Sequence, residues 1–241
     1  MVSPVIVALD VPTLEEAGAL ARSLAGEVGG FKVGMELLMG EGPRAITTIA
    51  EIGLPVFADA KLHDIPNTVG RAAARIRSAG ARWVTVHGAG GTEMMESAVA
   101  AMGGQGVLAV TLLTSLAASD LPQIGIAATP ADYVTAISAL AAAAGCEGVV
   151  CSPKEVGSVR ESQPGLQIFV PGVRPESSSP GDQKRTATPE RAIADGAQYL
   201  VIGRPISKAP DPVLAAREIG DAIGAVHSPA GAMVDSSRPQ T

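Results

Sequence analysis

Eight apolar runs, each followed by a helix-forming stretch, fit within a chain of 241 residues and predict an α/β fold, a single-domain (β/α)8 TIM barrel. Hydrophobic residues make up 46% of the chain and aromatic residues only 2%. The core is therefore expected to be built from Ala, Val, Ile and Leu, the composition of buried parallel strands beneath Ala-rich helices. Polar residues also collect where the apolar runs end, and that end of such a barrel carries its chemistry. An open doubly wound sheet is the alternative, but the repeats come without a strong dinucleotide fingerprint.

The first run is Val5 to Leu9, ended by Asp10. Thr13 and Glu16 then make a capping-box pattern that opens a helix from Leu14 to Leu24. Gly30 to Met35 reads as the second strand, with a helix from Pro43 to Ile52 after a Gly-rich loop. Pro55 to Lys61 is the third strand, followed by a helix from Asn67 to Ala79 with Pro66 suited to its first turn. Arg82 to His87 and Val107 to Leu113 are the fourth and fifth strands, with helices from Thr92 to Ala101 and Ala131 to Ala144. Gly148 to Cys151 is the sixth strand, and Pro153 opens its helix. Leu166 to Val170 is the seventh, and a long polar connection from Pro171 to Thr188 precedes a helix from Pro189 to Asp195. Tyr199 to Ile202 is the eighth, and Pro212 to Ala225 supplies the last helix. The barrel is thus expected over residues 1–225, with 226–241, rich in Ser, Pro and Gly, as a flexible tail that includes His227.

The formal charge of −6 argues against a nucleic-acid partner, which calls for a basic stripe. Charges, Pro or Gly interrupt every apolar run short of the roughly 18 residues of a membrane span. The N-terminal Met1-Val2-Ser3-Pro4 lacks a basic region ahead of the first run, so a cytoplasmic protein is expected. Cys146 and Cys151 stand in no metal-ligand or redox spacing and are expected to be reduced core residues.

The most informative stretch is Asp59-Ala60-Lys61-Leu62-His63-Asp64-Ile65-Pro66-Asn67-Thr68. Alternate side chains of a strand share a face, so Asp59 and Lys61 are expected side by side at the strand's mouth, with Asp64 on the loop beyond. Asp10, Lys32, His87, Thr114 and Arg204 fall at or near other strand ends. Charges that are buried together need partners or a function. Val201-Ile202-Gly203-Arg204-Pro205 suits an anion grip, because glycine lets the backbone approach and arginine pairs with oxygens. Arg174, Gln183, Lys184 and Arg185 frame the long connection, whose length suits closure over a ligand. His63 and His87 are read as structural histidines.

These motifs, with Phe31-Lys32-Val33-Gly34, Leu113-Thr114-Ser115, Pro171-Gly172-Val173-Arg174-Pro175 and Gly181-Asp182-Gln183, resemble the bacterial-type orotidine 5′-phosphate decarboxylase family over about residues 4–225. The resemblance implies cofactor-independent and metal-free conversion of orotidine 5′-monophosphate to uridine 5′-monophosphate and CO2, in pyrimidine synthesis. It implies that Lys61 protonates C6 of the pyrimidine, flanked by Asp59 and by Asp64 of a neighbouring subunit in a homodimer. Asp10 and Lys32 would hold the ribose hydroxyls, with Lys32 also bonding Asp59, and Thr114 and Ser115 would meet the pyrimidine edge. Ile65 and Thr68 would cross the subunit interface. Gln183, Gly203 and Arg204 would take the phosphate, and Arg174 would anchor the closing loop.

Two other readings stand beside this one. A Mg2+-dependent sugar-phosphate enzyme of the same superfamily shares the D-x-K-x-x-D motif, but it carries a metal-binding Glu where this chain has Lys32. A non-catalytic nucleotide-binding barrel is compatible with the fold, since fold alone does not fix function. The intact Asp59, Lys61 and Asp64 set speak against it.

Overall fold

The computed structural model describes residues 3–174 and 187–227. Eight strands, β1 Val5–Ala8, β2 Gly30–Val33, β3 Val56–Leu62, β4 Trp83–His87, β5 Gly106–Val110, β6 Gly148–Val150, β7 Gln167–Pro171 and β8 Tyr199–Ile202, follow in chain order around a closed barrel. Every neighbouring pair is parallel, and β8 closes on β1 through Val5↔Leu200, Ile6↔Val201 and Val7↔Ile202. Such strands are covered on both faces, which is why they read as unbroken apolar runs.

The helices are α1 Leu14–Leu24, α2 Met35–Glu41, α3 Arg44–Ala50, α4 Pro66–Ser78, α5 Thr92–Met102, α6 Pro130–Ala143, α7 Val156–Ser162, α8 Pro189–Ala194, α9 Arg204–Ser207 and α10 Pro212–His227. Thr13 caps α1 by accepting from the Glu16 N–H, and Pro66 occupies the first turn of α4, where its missing N–H costs nothing. Among the described residues no helix is long and apolar enough to cross a membrane.

Four expectations change. The second strand ends at Val33, and Met35 starts α2, a helix entered through Gly34 with no side-chain cap to announce it. The fifth strand stops at Val110, so Thr114 and Ser115 lie on the loop beyond it. There Thr111 turns its N–H and hydroxyl to the Val150 carbonyl. A single turn, α9, follows β8 directly. Finally, α10 runs on through Val226 and His227, so these two residues are helical where a tail was expected, and 228–241 lie outside the described residues. The sequence supplies a reason: Ala225 and Val226 continue a helix, and the first breaker is Pro229.

Two apolar layers hold the barrel. The larger, between strands and helices, is built from Ala, Val, Ile and Leu as composition suggests, with Phe31 and three Met residues. The inner layer is different. Ile6, Ala8, Phe57, Trp83, Leu108, Phe169 and Val201 fill the barrel interior with Tyr199 against them. Four of the six aromatic residues of the chain thus meet in one place. Phe169 stacks on Tyr199 at 4.5 Å and receives the edges of Phe57 at 5.7 Å and Trp83 at 5.3 Å. Glu147 accepts from both Arg82 (2.8 Å) and the Trp83 indole N–H (2.9 Å), tying this layer to the β4 and β6 entrances. A Cβ at Gly106 would stand 2.4 Å from the Trp83 ring, so only glycine leaves the indole room there.

Candidate active site

The in-and-out alternation of the strands carries the aromatic layer upward into a polar one. On β1 the inward series Ile6, Ala8 continues to Asp10, and on β3 Phe57 continues to Asp59 and Lys61. Above the aromatic floor, at the C-terminal ends of the strands, opens a cavity of about 1060 Å3. Its wall includes Asp10, Lys32, Asp59 and Lys61 from the first three strands, Thr114 from the loop after β5, and Arg174, Gly203 and Arg204 from the ends of β7 and β8, with Gly203 beside Asp10.

At the first three strands the charges form a chain. The Lys32 ammonium lies 3.1 Å from Asp10 Oδ1 and 3.5 Å from Asp59 Oδ2, and the Lys61 ammonium lies 2.7 Å from the same Asp59 oxygen. Thr85, fully buried on β4, donates to the other carboxylate oxygen, Oδ1, at 3.0 Å. Burial by itself would raise the Asp59 carboxyl pKa, but Lys32, Lys61 and the hydrogen bonds from Lys61 and Thr85 outweigh it and hold it below the ordinary value. Asp59 is thus an anion gripped from both sides. Gly34 makes room for this arrangement, since a Cβ there would stand 2.8 Å from the Lys32 ammonium and 3.1 Å from Asp10 Oδ1.

Strand alternation does bring Asp59 and Lys61 together, but the backbone between them is not a regular strand. β3 pairs with β4 through Ala58↔Val84 and then through Leu62↔Val86, so Asp59, Ala60 and Lys61 stand opposite Thr85 alone. At this bulge Lys61 has φ +46°, and among the described residues no other side-chain-bearing residue has positive φ. Such a conformation costs on the order of 1–3 kcal/mol and persists only where the surroundings impose it. Part of that imposition is visible: the Lys61 N–H, displaced from the ladder, donates to the Thr85 hydroxyl at 2.9 Å.

Beyond the bulge the chain turns outward. Asp64 is exposed and accepts from the Ile65 N–H at 2.6 Å, with Ile65 65% exposed and Thr68 exposed one helical turn on. Within one chain these three residues, and Ser115, take no part in the cavity wall. His63 and His87 pack ring on ring at 5.4 Å. Burial first, then His63 and Lys61, lower the His87 pKa, with Asp59 opposing.

Next to Asp10, Gly203 follows β8 with an unusual backbone (φ −107°, ψ −105°), and α9 begins at Arg204. Arg174 is anchored at the mouth of β7 by a bridge between Val173 and Ala187 and by its own N–H to the Ala187 carbonyl at 3.1 Å. Gln183, Lys184 and Arg185 lie outside the described residues. Sequence reasoning did not single out Lys208, which joins the cavity wall just after α9, or Thr85. Lys208 follows the Gly203-Arg204 turn by one helical turn, a spacing that could have drawn attention to it. Thr85 carried no signal, because its role depends on which residues stand across the β3–β4 ladder. Among the described residues no cluster of His, Cys, Asp or Glu is arranged to hold a metal ion. Both cysteines are free and buried, and burial pushes the Cys146 thiol up to about 12.

Comparison with known proteins places this geometry. The model of the orotidine 5′-phosphate decarboxylase / HUMPS family matches residues 3–219. The orotidine 5′-phosphate decarboxylase of Sphingopyxis alaskensis is 49% identical over 220 residues, covering 91% of this chain and 98% of that protein. That of Anaeromyxobacter sp. strain K is 51% identical over 214 residues, covering 88% and 94%. The crystal structure of orotidine 5′-phosphate decarboxylase from Lactobacillus acidophilus superposes with a TM-score of 0.80 at 34% identity, covering 92% of this chain and 99% of that one. With a closed eight-stranded barrel, a charged rim and a match spanning nearly its whole length, the chain belongs to the orotidine 5′-phosphate decarboxylase / HUMPS family.

Proposed function

We propose that this enzyme converts orotidine 5′-monophosphate to uridine 5′-monophosphate and CO2, with Lys61 delivering the proton to C6 of the ring. The observation that carries the reading is the Lys32–Asp59–Lys61 array, with one carboxylate oxygen held at 3.5 and 2.7 Å by two ammonium groups, in the wall of the same cavity as Gly203 and Arg204. Losing CO2 from an sp2 carbon leaves an electron pair in the ring plane with little delocalisation. Catalysis therefore rests on a cation fixed where that charge appears, stronger in its effect on the transition state than on the substrate. Lys61 is such a cation and carries the proton that ends the reaction. The electron pair left by the departing CO2 takes that proton, and the lysine is recharged from solvent, to which its side chain is 34% exposed.

The remaining residues position the nucleotide. Asp10 and Lys32 take the ribose hydroxyls, Thr114 the pyrimidine edge, and Gly203, Arg204 and Gln183 the phosphate, with Arg174 at the stem of the connecting segment. Binding energy from these distant groups holds the ring against Lys61. Asp64, Ile65 and Thr68 are exposed and line no part of their own cavity, and we assign them to the site of a second copy in a homodimer, where Asp64 completes the charge array.

Lys32 separates this reading from that of a metal-dependent sugar-phosphate enzyme, since its ammonium stands between Asp10 and Asp59, where a cation held by both carboxylates would sit. The test is an orotidylate decarboxylation assay in EDTA, followed by loss of orotidylate absorbance. Full turnover in EDTA is expected, and Lys61→Ala is expected to abolish it while still binding a uridylate analogue. Undiminished turnover by Lys61→Ala would remove Lys61 from its role, and activity lost in EDTA and restored by Mg2+ would favour the sugar-phosphate reading.

A further inference from the structure

Thr85 lies outside the cavity wall, yet both hydrogen-bonding capacities of its hydroxyl are committed to the two residues most important to the chemistry. It donates its one proton to Asp59 Oδ1 and accepts the Lys61 N–H, and it is 0% exposed. It is also the single β4 residue facing the three-residue bulge. We propose that Thr85 is a positioning residue for the reaction, holding Asp59 in the rotation that offers Oδ2 to both lysines and holding the Lys61 backbone in its left-handed conformation.

A bulge that sets three residues against one leaves ladder groups without backbone partners, and a buried N–H without an acceptor is costly. The Thr85 hydroxyl supplies that acceptor. A carboxylate attached through a single bond rotates freely unless both oxygens are engaged. With Oδ1 taken by Thr85, Oδ2 is left to Lys61 and Lys32. Valine has the same shape as threonine and can do neither task. Serine can do both.

The inference rests on the proposed function, and the test separates the two. Wild type, Thr85→Val and Thr85→Ser are compared by steady-state orotidylate decarboxylation across pH and by thermal unfolding. Misplacing a catalytic group slightly costs about ten- to a hundredfold, so Thr85→Val is expected to lose that much kcat with KM changed less than about threefold. Thr85→Ser is expected to recover kcat to within about threefold of wild type. The acid limb of kcat/KM in Thr85→Val should move to higher pH, because the Asp59 carboxylate loses a donor and its fixed hold on Lys32 and Lys61, and His87, the other titratable group facing it, does not replace them.

Wild-type kcat and an unmoved acid limb in folded Thr85→Val would overturn the proposal, as would a Thr85→Ser enzyme no better than Thr85→Val. Should the valine variant fail to fold, Thr85→Cys, with a weak donor, is expected to fall between the two, and an unimpaired cysteine enzyme would equally overturn it. An NMR titration of the Asp59 carboxyl needs no turnover: it should rise in Thr85→Val, or in Thr85→Cys where valine does not fold, and no rise counts against the role of Thr85. A wild type inactive on orotidylate would instead sink the functional reading and leave that titration to judge Thr85.

Discussion

Replacing Asp59 by Asn removes one charge and almost no volume, and the geometry sets how much should be lost. The Lys32 and Lys61 ammonium groups lie 3.5 and 2.7 Å from the same carboxylate oxygen, so their separation is at most the sum of those distances, about 6 Å. Without the anion they repel by on the order of 3 kcal/mol at an effective dielectric of about 20. The pair must then splay apart or give up a proton, and either outcome takes the charged Lys61 from its place. At roughly 1.4 kcal/mol per factor of ten, kcat for orotidylate decarboxylation should fall about a hundredfold or more. Asn retains an oxygen for the Thr85 hydroxyl, so the β3–β4 contact survives and the variant should remain folded. The assay is loss of orotidylate absorbance at saturating substrate, with thermal unfolding run in parallel. A folded Asp59→Asn enzyme with kcat within about threefold of wild type would refute the electrostatic argument, since no rearrangement of two lysines could then matter to the rate.

Asp64 and His87 carry two further predictions. Mixed dimers of Asp59→Asn and Asp64→Asn subunits should regain activity that neither variant has alone, because one of the two sites then receives both wild-type carboxylates; no recovery on mixing counts against a shared site. His87 has a pKa lowered from 6.5, chiefly by burial, so below pH 6.5 the unfolded chain binds a proton that the folded chain refuses. Stability should therefore fall as pH drops below 6.5 towards the depressed value, and His87→Gln should flatten that part of a Tm-against-pH curve. An unchanged slope in the variant would assign it to other groups.

Much of the architecture was legible because parallel strands buried on both faces leave continuous apolar runs, and all eight were found, with ends displaced by a few residues. The missed elements have local causes. Helix α2 begins at Gly34-Met35, where a glycine cap gives no side-chain signal and Met35 looks like more strand. Helix α9 is a single turn with Pro205 inside it. The aromatic floor could not be read from composition, because 2% aromatic content does not say that Phe57, Trp83, Phe169 and Tyr199 converge. At the site, Asp10, Lys32, Asp59, Lys61, Arg174 and Arg204 stood out because charge at a strand end is conspicuous. Thr85 did not, because a buried threonine in a strand is ordinary β-branched packing until the residues across the ladder are known. Alternation along a regular strand would set Asp59 beside Lys61, whereas their contact is made across a bulge at φ +46°.

That bulge lies above Ala58, the last β3 residue paired with both Val33 and Val84 before the register shifts. Below it the circumference is closed strand by strand and filled by aromatic rings, so where Lys61 stands is set by a short length of surplus chain and not by the stagger of the barrel. Scaffold and chemistry are thus separately adjustable. Repacking the interior for heat resistance should leave the rim alone, and altering residues 59–61 should change turnover without reopening the wall.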